Sequence, residues 1–127
     1  MNHVALASVT GGDRDRQVLA SHASVVGFVD TRFGFAVDVG DVPGAAGVSA
    51  DHQCVLWCNQ VIKAVANAVL DAAHVQNTLL HDSTHAGGVA EETATEARRI
   101  ALAARLAGDS ERTRRDDDGF FSFTTRG

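Results

Sequence analysis

The side chains here with the clearest capacity for chemistry are six histidines and two cysteines. His81 and His85 are spaced as i and i+4, and His74 with Asp71 continues the same stripe one or two turns earlier. On a continuous helix two imidazoles at that spacing point the same way and could chelate zinc, with Asp82 or Asp71 as an oxygen ligand. His74, His81, His85 and Asp82 are therefore the candidate metal ligands, and zinc is the one cofactor suggested. The run HDSTH carries no glutamate after its first histidine, so the general base of the HExxH pattern has no candidate. The simpler account of the stripe is the solvated face of an amphipathic helix.

Cys54 and Cys58 form a CxxxC pair that could bind a soft metal if His52 joined them. Zinc sites and redox dithiols favour the tighter CxxC spacing, and both cysteines fall on an apolar stripe, so small buried hydrophobes are the plainer reading. Thr10-Gly11-Gly12-Asp13 stands between a short apolar run and a weak helix, where a nucleotide-binding unit would place its phosphate loop. It lacks both GxGxxG and GK[ST], and reads as an ordinary turn. No serine lies in a GxSxG elbow or an SxxK arrangement, and His22, beside Ser21 and Ser24, reads as a surface residue.

The elements that would position these groups follow from periodicity. HVALASV, residues 3–9, reads as a strand ending at the Gly11-Gly12 turn, and residues 14–22 as two turns of helix capped by Asp13. Phe33, Phe35, Val37 and Val39 alternate with small or polar residues, which predicts a strand, and the β-prone run 24–30 is expected to pair with it as a hairpin. Residues 40–50, with the single proline, read as a loop.

Between Asp51 and Leu80 the residues Cys54, Cys58, Val61, Val65, Ala68, Ala72, Val75 and Leu79 recur at helical spacing, with Ser49 or Asp51 as the cap. A second helix is expected from 89 to 107, burying Val89, Ala97, Ile100, Ala101, Ala104 and Leu106, with glutamates early and arginines late as the helix dipole favours. The fold class is α+β: a short N-terminal strand and a β-hairpin packed on two C-terminal helices, about 51–80 and 89–107, helix-rich overall. Residues 1–108 form a single domain in this reading, and 109–127 a polar tail ending in the apolar GFFSF.

Charge and composition narrow the function classes. The net charge is -5, and Arg112, Arg114 and Arg115 are followed at once by Asp116, Asp117 and Asp118, so no uncompensated basic face is offered to nucleic acid. No run approaches the roughly 18 to 20 apolar residues of a membrane span, and a soluble, cytoplasmic protein is the expectation. Ten arginines against the lone Lys63 are what GC-rich coding produces.

The run VVGFVDTRFGFAVDVGDVPGAAGVSADHQ resembles the central part of two-layer interaction modules of the roadblock type, until a second helix follows where that family returns to strands. No membership is assigned. The leading expectation is a non-enzymatic interaction domain whose amphipathic helices bind a protein partner or a second copy in a homo-oligomer. A small zinc enzyme or sensor is the alternative, and an open reading frame with no selected product the third reading.

Overall fold

The computed structural model describes residues 4–12, 14–45, 52–83 and 91–108. Two strands, β1 (Leu6–Thr10) and β2 (Gly34–Asp38), pair in parallel, with Leu6 opposite Gly34 and Thr10 opposite Asp38. Among the described residues three helices follow: α1 (Cys54–Trp57), α2 (Asn59–Ser83) and α3 (Glu91–Leu106). The α+β class read from the sequence holds, with helices in the C-terminal part and a small sheet in the N-terminal part.

The hairpin does not form. Residues 25–29 close a turn in which the amides of Phe28 and Val29 both donate to the carbonyl of Val25, at 3.1 Å each. Gly27 supplies the left-handed conformation this turn requires (φ 86°), while Val26 and Phe28 point into solvent. The chain then crosses back so that β2 runs alongside β1 in the same direction. Residues 14–22, read as helix, carry only the 3-10 turn Ala20–Ala23.

Phe35, Val37, Val39, Val42 and Ala45 meet Cys58, Val61 and Ala68 of the α2 side, and Ala103, Leu106 and Ala107 of the α3 side, in one core. The α2 face foreseen from spacing is the one that packs, since Cys58, Val61 and Ala68 are buried while Ile62, Val69 and Leu70 face outward. Cys58 interrupts the helix: its carbonyl accepts from Ile62 N (2.9 Å) and its thiol donates to Gln60 Oε1 (3.2 Å).

The buried face of α3 is rotated from the expected one. Ala94, Thr95, Ala103 and Leu106 are buried, whereas Ile100 and Ala104 are exposed. Val89 lies outside the described residues. Thr95 is tolerated in the interior because its hydroxyl donates to the carbonyl of Glu91 and accepts from Arg98 Nη2, both at 2.8 Å. Arg105 pairs with Asp71 at 2.6 Å and Arg98 bonds Gln76, tying α3 to α2, while the Arg99 guanidinium lies 5.2 Å from the Phe35 ring centroid.

Phe35, at 1% exposure, is the largest side chain of this core. Phe35→Ala should destabilise the fold by about 3–5 kcal/mol, because the cavity adds to the lost transfer energy. Phe28→Ala, at 87% exposure, should change stability by less than about 0.5 kcal/mol. Urea unfolding of the two variants checks both.

Candidate active site

Parallel pairing has a geometric consequence: the loops that leave the C-terminal ends of β1 and β2 emerge at the same sheet edge, where open α/β folds place their ligands. The loop after β1 turns at Gly12, whose φ of 83° favours glycine, and the amide of Asp15 closes the turn on the Gly12 carbonyl at 2.9 Å. Asp15 then turns its carboxylate inward. Its Oδ1 accepts from the amides of Gln17 and Val18, both at 2.9 Å, and its Oδ2 lies 2.8 Å from Nδ1 of His52.

The carboxylate is almost wholly enclosed, at 3% side-chain exposure, whereas the imidazole is 42% exposed. Burial pushes the Asp15 carboxyl up, but the bonds from Val18, His52 and Gln17 outweigh it and hold the group below the usual carboxylate range. An ionised carboxylate only accepts, so Nδ1 is the donor and, in the neutral ring, the lone pair sits on Nε2. A buried acid that fixes the tautomer of an exposed imidazole is an arrangement that hydrolytic triads also use.

Linkage gives a test of this charge. A carboxyl depressed on folding contributes stability that is complete above its ordinary value of 3.8 and lost as pH falls through the lower folded value. Asp30 adds to the same trend, because the amide and guanidinium of Arg32 depress it too. The thermal midpoint should hold from neutral pH to about 4 and fall below that. Asp15→Asn should flatten the acid limb, which a melt series between pH 6 and pH 2 would read.

The residues singled out from the sequence are placed elsewhere. His74 and His81 lie exposed on α2, the side chain of Asp82 and all of His85 fall outside the described residues, and Asp71 is engaged by Arg105. Among the described residues no three His, Cys, Asp or Glu gather as metal ligands. His52 turns to Asp15, and Cys58 is buried as a small hydrophobe. Gly12 N is taken by Thr10 Oγ1 at 3.3 Å, as an ordinary turn requires. The tail 109–127 and the caps proposed at Asp13, Ser49 and Asp51 lie outside the described residues.

Asp15 was not among the expected functional residues, and His52 entered only as a partner for the cysteines. The signal available was order: a strand, a Gly-Gly turn and an acid, then a second strand and a histidine. α/β hydrolases keep that order, their nucleophile preceding both the acid and the histidine.

Fold and site together define an α+β arrangement in which a parallel strand pair brings a buried acid against a half-exposed imidazole. Residues 1–72 match the PGAP1-like alpha/beta domain, and the chain belongs to that family. Asp15 and His52 both lie within the match. The GPI inositol-deacylase of Chaetomium globosum is 41% identical over 73 residues, covering 58% of this chain and 6% of that protein. The Neurospora crassa GPI inositol-deacylase is 38% identical over 73 residues, with coverage of 58% and 6%. GPI inositol-deacylase A of Yarrowia lipolytica is 41% identical over 68 residues, covering 54% and 6%. The chain thus corresponds to a small part of these relatives' length.

This kinship corrects the functional expectation. A non-enzymatic interaction domain is overturned by membership of a family whose relatives are named GPI inositol-deacylases, and neither the zinc enzyme nor a frame without a selected product is retained. The soluble, cytoplasmic expectation is dropped as well, because the relatives are named for acting on GPI, a glycolipid. Among the described residues no helix is long and apolar enough to cross a membrane.

Proposed function

We propose that this chain carries the acid–base half of an acyl-ester hydrolase centre, with Asp15 orienting His52. The observation that carries the reading is the 2.8 Å contact between Nδ1 of the half-exposed ring and a carboxylate locked by two amides. In this role Nε2 of His52 takes the proton from a hydroxyl nucleophile as its oxygen attacks the ester carbonyl. The same nitrogen then returns the proton to the leaving alkoxide as the tetrahedral adduct collapses. Asp15 offsets the positive charge that develops on the ring and keeps it in the productive tautomer. Water repeats the sequence to release the acid.

The hydroxyl nucleophile comes from a part of the hydrolase outside residues 1–72. This is supported by the order of acid and histidine, and by the small share of the relatives that the chain covers. The relatives' name supplies the substrate class, an acyl ester on an inositol. A graft tests the proposal: residues 1–72 replace the matching segment of the Chaetomium globosum enzyme, and acyl release from acylated inositol is followed. The graft should keep deacylase activity within about tenfold of its parent, since the proton-transfer geometry is preserved. An inactive graft that folds and assembles as its parent does would refute the reading.

A further inference from the structure

The strand register sets Thr10 beside Asp38, so the last residues of β1 and β2 meet at the point where the catalytic loop departs. Asp38 Oδ1 accepts from the amide of Gly40 at 2.8 Å, which fixes the side chain over the strand ends. Its carboxylate rests against Gly12: a Cβ at Gly12 would stand 2.7 Å from Oδ1 and 2.9 Å from Oδ2. Gly12 is held by its amide on Thr10 Oγ1 (3.3 Å) and by its carbonyl, which accepts from Asp15 N (2.9 Å). The next contact in this chain is Asp15 to His52.

We propose that Asp38 is a positioning residue for the Asp15–His52 pair, acting through Gly12. The proposal rests on the acid–base reading of that pair. Asp38 acts at a distance from the ring: it presses on the turn whose carbonyl anchors the Asp15 backbone. With Asp38 shortened, Gly40 loses its acceptor and the Gly12 turn loses the wall it leans on. Asp15 can then swing away from Nδ1 while the strands stay paired. An asparagine is isosteric and still accepts from Gly40, so shape and not charge is the requirement.

The test uses the full chain with nitrogen-15 imidazole resonances, which read the tautomer of His52 and the exchange of its Nδ1 proton with water. Asp15→Asn sets the reference for a broken pair. Asp38→Ala should shift the ring toward the Nε2-protonated tautomer and speed Nδ1 exchange by on the order of tenfold, the equivalent of one charge-assisted hydrogen bond. Asp38→Asn should restore the wild-type signature. If Asp38→Ala does not fold, Asp38→Ser replaces it, because its short hydroxyl still reaches Gly40 but withdraws from Gly12. A lower melting temperature with tautomer and exchange unchanged would overturn the proposal and leave Asp38 a purely structural residue. If Asp15→Asn itself leaves the ring unchanged, the acid–base reading fails, and this inference with it.

Discussion

His52→Ala in the grafted deacylase should lower kcat by about 10⁴-fold or more, because the base that activates the nucleophile and the acid that protonates the leaving group are the same nitrogen. KM should change little, since the ring is assigned to proton transfer and not to holding the acyl chain. The fold should tolerate the change. At 42% exposure the imidazole fills no sealed cavity, so the thermal midpoint should stay near that of the parent. Rates and melts on one preparation separate a chemical loss from a folding loss.

Asp15→Asn should cost about as much, roughly 10⁴-fold in kcat, by a different route. The amide oxygen can still accept from Gln17 and Val18, so the loop keeps its bonds. The amide nitrogen then occupies the place of Oδ2 and donates toward Nδ1 of His52. The ring answers by moving its proton to Nε2, the atom that must be free to receive one. Activity should therefore collapse while secondary structure is kept. Asp15→Ala should be less stable than Asp15→Asn, because it leaves the amides of Gln17 and Val18 without their acceptor.

Much of the fold was legible where local patterns decide it. The alternation from Phe33 to Val39 and the spacing of Cys58, Val61 and Ala68 gave β2 and the packed face of α2, because one buried face imposes its period on the sequence. The strand pairing was not legible. Val25 to Asp30 is rich in β-prone residues, yet Gly27 turns it back and, among the described residues, no second layer covers Val26 or Phe28. β propensity measures fit to a half-buried surface, and that surface is absent there. The α3 face was misjudged because its alanines, Ala94, Ala97, Ala101, Ala103 and Ala104, fall on several sides of the helix, so no single apolar stripe marks the side that packs.

The site was hidden for a related reason. Asp15 and His52 are 37 residues apart, and only the parallel crossover brings their loops to one edge. Read locally, Asp15 belonged to a weak helix and His52 to two cysteines. The histidine stripe drew attention because its spacing is regular, and regular spacing on a helix describes a face before it describes a site.

The most direct measurement is a double-mutant cycle on the deacylation rate of the graft, comparing His52→Ala, Asp15→Asn and the pair together. If Asp15 acts through His52, the double variant is no slower than His52→Ala alone, within experimental scatter, since residues that work as a unit are lost together. If the two losses instead multiply, or if His52→Ala retains the parent rate, the acid–imidazole account is wrong.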